Sequence, residues 1–281
     1  MVGRTLFGTA LLFSLWLLTA VALPQSHPAG SKDDSIDIVL RSSVQLTPIE
    51  RRTLRRDVRL YDSDTVAEIV REVCQNRGYF KAQVRVVRTT TPAKKAVVIQ
   101  VDPGKQYRLV GVSWRGNAAL SQSDLAKLIP FEPGELFSRA KIAEGLKAAK
   151  KLYDSRGYIN YTVIPTPIAD DDAGTVAFEM DVDEGGQFRF GELDVQGMEQ
   201  AHRQMLLSAW QALQGRPYDA QDADEFFNHY FRSPRPHINP ATLAVRRIDE
   251  RNRSVNYLLQ FDPSIRYRVN RSSLLEQVET P

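Results

Sequence analysis

The densest group of side chains able to bind a ligand consists of Arg51, Arg52, Arg55 and Arg56. In a helix, spacings of one and four residues crowd these guanidinium groups onto one side. The resulting basic surface could bind an anionic partner, either lipid headgroups or an acidic protein surface. The alternative interpretation is a solvated helix face without a partner.

Carboxylates and histidines give little support for catalysis or metal binding. Asp170, Asp171 and Asp172 are consecutive, whereas a calcium-binding loop alternates its ligands, so we expect a solvated turn. The four histidines share no metal-ligand spacing. They are His27, His202, His229 and His237. The chain also lacks a phosphate-loop motif and a Gly-x-Ser-x-Gly motif, so we expect no enzymatic activity and no cofactor.

The single cysteine, Cys74, excludes an intrachain disulfide. It lies on an apolar helical stripe, which favours a buried core position. A redox or nucleophilic role would require a polarising partner that the sequence does not provide.

Composition is that of a globular protein, with 281 residues, 42% hydrophobic and 25% charged. The net charge of +3 is too small to indicate a nucleic-acid partner. The charge is uneven, because the first part of the chain, residues 36–103, has an excess of basic residues.

The N-terminal segment has the pattern of an export signal. Arg4 precedes an apolar run from Leu6 to Leu18, and Ala20-Val21-Ala22 fits a cleavage site. We therefore predict a cleaved signal peptide over residues 1–22 and a flexible leader over residues 23–35. An uncleaved N-terminal anchor is the alternative.

One helix–glycine–strand unit recurs three times and organises the chain. Its clearest copy is Phe137–Val163, in which an amphipathic helix ends at Gly157 and a strand follows. An earlier copy runs from Tyr61 to Val87, and a later one starts at Tyr218. A second recurring block ends at Gln106-Tyr107-Arg108 and again at Gln187-Phe188-Arg189. The repeat is long enough for a small domain with its own core.

Each repeat has the order β-α-α-β-β. Strands are predicted near residues 36–40, 82–88 and 95–101 in the first repeat, 108–115, 158–165 and 175–181 in the second, and 189–196, 243–249 and 255–262 in the third. The first helix follows Thr47-Pro48, and the third repeat's first helix covers residues 199–214. Expected N-caps of the second helices are Ser63 or Thr65, with Glu68 in capping-box spacing, then Ser138 and Asp219.

The pattern resembles the POTRA (polypeptide-transport-associated) domain. The features that carry the resemblance are a glycine after the first strand (Gly116, Gly197), a helix ending Tyr-x-x-x-Gly-Tyr (Tyr153 to Tyr158) and a closing strand followed by Glu184-Gly185. It is strongest over residues 106–190, good over 36–105 and weaker over 187–263. The implied fold class is α+β: a tandem array of three domains, each a three-stranded mixed sheet with two helices on one face. Expected boundaries are 36–103, 104–185 and 186–263, with a tail over 264–281.

POTRA strings are similar to the periplasmic arm of BamA-like outer-membrane assembly proteins and of two-partner secretion transporters. The resemblance implies a non-enzymatic periplasmic scaffold, associated with the outer membrane, that assists outer-membrane protein assembly or polypeptide transport. In that family a membrane barrel follows the arm, and after Pro263 only a short tail remains here. Expected partners are therefore unfolded outer-membrane proteins or a separate barrel protein, with membrane-surface contact through the first domain and no nucleic acid. The alternative is an inner-membrane-anchored POTRA protein that organises an envelope complex.

The implied binding mode is β-augmentation, in which a client strand pairs with the exposed edge of a sheet. We place that edge on the strand after each Arg-Gly-Tyr, beside the second helix. The candidate residues are Gln83, Val84 and Arg85 in the first repeat and Asn160, Tyr161 and Thr162 in the second. Ordinary strand surface is the alternative. The linkers, Asp102–Gln106 and Asp183–Gln187, are short, so we expect limited hinge motion between domains.

Overall fold

In the computed structural model of this chain, the described residues are 36–91, 94–132, 134–230 and 244–261. The first unit contains β1 (Ile36–Arg41), α1 (Pro48–Leu60), α2 (Ser63–Gln75), β2 (Gln83–Thr91) and β3 (Lys94–Asp102). The second contains β4 (Arg108–Arg115), α3 (Gln122–Ala126), α4 (Arg139–Asp154), β5 (Thr162–Asp170) and β6 (Thr175–Asp183). The third contains β7 (Arg189–Gln196), α5 (Gln200–Trp210), α6 (Ala220–Tyr230), β8 (Ala244–Asp249) and β9 (Ser254–Gln260). The predicted signal peptide, leader and tail lie outside the described residues.

Each unit forms one three-stranded sheet in which the last strand is central. The orders are β1-β3-β2, β4-β6-β5 and β7-β9-β8. The first strand pairs with the central one in parallel, and the second strand pairs with it antiparallel. The predicted mixed sheets are confirmed. The strand that follows the second helix lies at one edge of each sheet, as its position in the repeat predicts.

The core of each unit lies between its sheet and its helices. In the second unit, the inward residues of β6 are Val176, Phe178 and Met180, and the helix α4 contributes Ala149 and Tyr153. All five are buried because alternate strand positions share one face and i, i+4 helix positions share another. Cys74 is buried in the first unit, and this burial raises the pKa of its thiol and disfavours the reactive thiolate. The expected core position is confirmed.

Two of the predicted helix caps differ from those observed. The helix α2 is capped by Asp62, whose Oδ1 accepts from the Thr65 amide at 2.7 Å, and not by Ser63 or Thr65. Glu68 therefore forms no capping box and pairs with Arg71 and Arg139. Ser138 precedes α4 but makes no side-chain cap.

The other two helix starts are as expected. Thr47 and Glu50 form a reciprocal capping box at the start of α1. Asp219 Oδ1 accepts from the Gln221 amide at 2.8 Å at the start of α6. The helix α5 ends at Trp210, four residues before the predicted end, because the Leu213 amide turns back to the Trp210 carbonyl at 2.9 Å. Among the described residues, no helix is long and apolar enough to cross a membrane.

Candidate binding surfaces

Among the described residues of the first domain, β2 is the longer of the two edge strands, and its outer side is unpaired. β2 pairs with β3 on one side, and within the described part of the chain no backbone hydrogen bond satisfies its other side. Gln83 and Arg85 have exposed side chains, and Val84 is half-buried. An edge strand of this kind presents alternate N–H and C=O groups that an incoming strand can pair with.

The helix α2 packs against β2 beside this edge. Near the middle of β2, the Arg88 guanidinium donates to the Val58 carbonyl at 2.9 Å and to the Tyr61 carbonyl at 2.7 Å. A third bond joins Arg88 Nε to Ser63 Oγ at 3.1 Å. These bonds join β2 to the turn between α1 and α2.

The candidate residues of the second domain do not form an equivalent surface. Asn160 and Tyr161 precede β5, which begins at Thr162, because the Tyr161 amide turns back to the Tyr158 carbonyl at 3.1 Å. Tyr161 is only 3% exposed and stacks on Tyr153 with ring centroids 4.2 Å apart. Asn160 and Tyr161, which were predicted to lie on the edge strand, are therefore in the turn before it, and the Tyr161 ring belongs to the core. Of the three predicted residues, Thr162 alone is an exposed position of the strand.

Two prolines further distinguish β5 from β2. Pro165 and Pro167 lie within β5 and cannot donate backbone hydrogen bonds. Because β5 remains fully registered with β6, the missing donors fall on its outer side. The matching positions of β2, aligned through the first residue of each strand, are Val86 and Arg88. The edge of β5 therefore offers two fewer donors to an incoming strand than the edge of β2.

The opposite edges of the second and third sheets are partly occupied by the chain itself. The segment before α4 pairs with β4, with the Leu109 amide donating to the Glu135 carbonyl at 2.9 Å and the Gly134 amide to the Leu109 carbonyl at 3.1 Å. The segment before α6 pairs with β7 in the same way, through Phe190. An incoming strand could therefore pair only with the rest of β4 or the rest of β7.

Four arginines on α1 form the second candidate surface, which we call the arginine face. Arg52, Arg55, Arg56 and Arg59, with Leu60, line a shallow pocket of 360 Å³. The predicted group included Arg51, but its Nε donates to the Leu46 carbonyl at 3.1 Å, on the flank of the helix. Arg59 was missed, although the 52, 55, 56, 59 spacing of a single helix face could have identified it.

Asp171 lies at the junction of the first two domains, a role that residue spacing does not indicate. Its Oδ1 accepts from Tyr107 Oη at 2.6 Å and from Lys81 Nζ at 2.5 Å. These hydrogen bonds, from Lys81 and then from Tyr107, hold the pKa of Asp171 below its ordinary value. Residues 171–174 form the expected turn, and the described residues contain no cluster of His, Cys, Asp and Glu able to hold a metal.

Both domain junctions use the same linker contacts. At the first, Gln106 Nε2 donates to the Arg77 carbonyl at 2.8 Å, and the Tyr107 amide donates to the Gly78 carbonyl at 2.8 Å. At the second, Gln187 Nε2 donates to the Arg156 carbonyl at 3.0 Å. At each junction, the Gln-aromatic motif of the linker thus contacts the Arg-Gly-Tyr motif that follows the second helix of the preceding domain.

Comparison with known proteins supports the resemblance found in the sequence. Residues 107–185 match the POTRA family, described as "Surface antigen variable number repeat". The chain is 23% identical over 156 residues to "Outer membrane protein assembly factor BamA" of Neisseria meningitidis serogroup B, a match that covers 54% of this chain and 20% of that protein. The chain thus spans about a fifth of the length of this curated relative.

One solved structure has the same three-domain architecture. The crystal structure of Haemophilus influenzae BamA POTRA3-5 is similar with a TM-score of 0.57 at 23% identity, covering 84% of this chain and 99% of that one. That of Haemophilus influenzae BamA POTRA4 is 32% identical over 29% of this chain and 94% of its own length, with a TM-score of 0.27. Residues 107–185 thus match the POTRA family, and the fold of the three units is that of tandem POTRA domains.

Proposed function

We propose that this protein is a non-enzymatic periplasmic scaffold that assists outer-membrane protein assembly or polypeptide transport by binding client strands. The observation that carries the proposal is the open outer edge of β2, a strand against which α2 packs. The relative from Neisseria meningitidis, which is named an outer-membrane protein assembly factor, supports the client class. An unfolded barrel protein supplies strands whose backbone can pair with this edge regardless of their sequence.

The first domain is the proposed binding domain, because its edge retains every backbone donor. Gln83, Val84 and Arg85 begin this edge, and Val86 follows with a half-buried side chain. A strand added there would place alternate side chains over α2 and the others in solvent. The proline-containing edge of β5 is protected against such pairing, as edge strands of soluble proteins commonly are. At that edge, Thr162 remains the proposed contact.

A proline exchange between the two edges tests the proposal. The Val86→Pro substitution places a proline where β5 already has Pro165, so the sheet should fold while its outer edge loses one donor. The reciprocal variant, Pro165→Val with Pro167→Arg, restores both donors to β5. The probe is an outer-membrane barrel protein diluted from urea and added to immobilised protein.

We expect Val86→Pro to weaken capture of the unfolded barrel protein by about tenfold, since one or two intermolecular hydrogen bonds of about 1 kcal/mol each are lost. The reciprocal variant should gain binding. Circular dichroism establishes that each variant is folded. Unchanged capture by folded Val86→Pro protein would contradict strand addition at β2.

We also propose that the protein is exported to the periplasm and that its partner is an outer-membrane barrel protein or its unfolded precursors. N-terminal sequencing of the exported protein should give a start near Leu23, whereas retention of Met1 would favour the inner-membrane-anchored organiser. Affinity capture from the cell envelope after mild crosslinking should recover an outer-membrane barrel protein or its unfolded precursors. Recovery of inner-membrane or cell-wall proteins alone would also favour the organiser.

A further inference from the structure

The arginine face of α1 is a strongly basic surface with few internal partners. Among the described residues, Arg52, Arg55 and Arg59 form no ion pair, and all three are exposed. Arg56 differs, because it pairs at 3.1 Å with Asp57, which is buried. Three guanidinium groups are therefore free to bind an external anion, whereas the guanidinium of Arg56 is already paired with the buried Asp57 carboxylate.

Exposed apolar side chains flank these arginines on the same side of the helix. Ile49 is 78% exposed near the start of α1, and Leu60 is 65% exposed at its end. With about 100° between successive residues, Ile49 and Leu60 lie beside the arc of the arginines, about 20° and 40° beyond Arg56. The opposite side of α1 is fixed in the domain by the buried residues Leu54 and Val58. The exposed face thus combines positive charge with apolar residues at both ends.

We propose that the arginine face docks the first domain on the surface of a membrane that contains anionic phospholipids. Guanidinium groups bind phosphate oxygens in a bidentate manner, and the shallow 360 Å³ pocket between them is open to a headgroup. Ile49 and Leu60 would enter the interface, as apolar residues of surface-lying amphipathic helices do. An acidic protein surface would satisfy the charges but would leave unexplained the two apolar side chains that flank them.

This docking is independent of strand binding, because it uses α1 and not the edge of β2. The test uses the chain from Leu23 onward, which contains every described residue and lacks the N-terminal apolar run that would itself bind lipid. The protein is sedimented with vesicles of phosphatidylcholine alone or of phosphatidylcholine mixed with phosphatidylglycerol. We expect binding to the mixed vesicles only, and we expect it to weaken as ionic strength rises.

The informative variant is Arg52→Gln/Arg55→Gln/Arg59→Gln, which spares the Arg56–Asp57 pair. Since each arginine near an anionic surface contributes about 1 kcal/mol, the partition coefficient should fall on the order of 100-fold. A matched control, Lys147→Gln/Lys151→Gln/Arg203→Gln, removes the same charge from exposed positions of the other two domains and should bind nearly as the unmodified chain does. The variant Ile49→Ser/Leu60→Ser should lose binding by a smaller factor that does not depend on salt.

Equal losses in the arginine variant and in its control would overturn the proposal, because binding would then depend on net charge and not on this face. Failure of the unmodified chain to bind the mixed vesicles would also overturn the proposal. An acidic protein surface would then be the favoured partner of the arginine face. Circular dichroism of each variant separates loss of binding from loss of folding.

Discussion

Asn76 Oδ1 accepts a hydrogen bond from the Ala140 amide at 2.8 Å, so a residue of the first domain caps a helix of the second. The adjacent Arg139 donates to Gln75 Oε1 at 3.2 Å and to Glu68, both on α2. Gln75 in turn donates from Nε2 to the Phe80 carbonyl at 3.0 Å. The end of α2 and the start of α4 are therefore joined by a continuous set of polar contacts, which couples the two domains.

The Asn76→Ala substitution removes this cap. We expect it to destabilise the protein by about 1 kcal/mol, because the first turn of α4 loses an acceptor for one of its free amides. Hydrogen exchange should show faster exchange of the Ala140 amide. The matched control is Ser138→Ala, which removes the hydroxyl at the sequence-predicted cap and should leave stability unchanged because that hydroxyl makes no cap bond. A larger effect of Ser138→Ala would show that the two roles are reversed.

Phe80 is expected to stabilise the domain that follows it. Its ring lies in the core of the second domain, 5.0 Å from Phe137 and 5.7 Å from Tyr107 between centroids. Replacing it with alanine should destabilise the protein by about 3 kcal/mol through lost burial and a residual cavity. Hydrogen exchange should locate most of that loss in β4 and β6. The control Tyr79→Ala removes the neighbouring aromatic, which packs in the first domain, and should affect α2 and β3 instead.

Sequence repetition predicted the fold because each copy carries the same apolar period and the same helix-ending glycine. Individual contacts were less predictable. Ser138 matched a capping residue by type, but Asn76 supplies the cap from more than sixty positions earlier in the chain. Tyr161 was placed on an exposed edge by counting from Gly157, but a turn shifts the start of β5 and leaves its ring in the core. Both differences arise from contacts distant in sequence, or from loop geometry, which residue spacing does not specify.

Gly157 should tolerate alanine far less well than Gly104 does. Both have positive φ, +86° and +64°, so either substitution costs about 1 kcal/mol of backbone strain. A Cβ at Gly157 would also lie 2.3 Å from the Phe188 carbonyl oxygen across the second junction, whereas one at Gly104 would meet no atom within 4 Å. We therefore expect Gly157→Ala to lower the free energy of unfolding by clearly more than Gly104→Ala in urea titrations. Equal losses would mean that the junction relaxes around the added methyl group.

The ion pair between Glu68 and Arg139 should make the first junction sensitive to acid. Burial raises the pKa of Glu68, but the hydrogen bond and charge of Arg139, together with the charge of Arg71, outweigh it and lower the pKa below its ordinary value of 4.5. A carboxyl group whose pKa is lowered by folding stabilises the protein above its unfolded pKa and loses that contribution as pH falls through the folded value. Because both side chains are partly exposed, we expect a contribution of under about 1 kcal/mol at neutral pH.

The measurement is the difference in unfolding free energy between the unmodified chain and Glu68→Gln, followed from neutral pH downward. The difference should be constant above about pH 5 and should shrink as pH falls below 4.5, where Glu68 becomes protonated in the unfolded chain first. A double-mutant cycle with Arg139→Gln isolates this pair from other carboxylates. A difference that grows on acidification would contradict the assignment.

The second junction should bend more readily than the first. Its contacts include the Gln187 bond to the Arg156 carbonyl and a longer one, at 3.3 Å, from Asn160 Nδ2 to Glu250. Between the two domains lies a cleft of 570 Å³ lined by polar residues including Arg156 and Asp219. At the first junction, the Asn76 cap and the buried Phe80 ring add to the glutamine bond, whereas at the second junction Ile159 is only partly buried against the third core. Loss of the glutamine bond should therefore be better tolerated at the first junction.

Small-angle scattering of two single variants tests this difference. We expect Gln187→Ala to broaden the distribution of maximum dimensions, and Gln106→Ala to change it little, because the remaining contacts of the first junction keep its geometry. The unmodified chain should give a narrow distribution, as its short linkers predict. If Gln106→Ala produced the broader distribution, the polar contacts around Asn76 would not be what holds the first two domains together, and the linker glutamine would carry that role in both junctions.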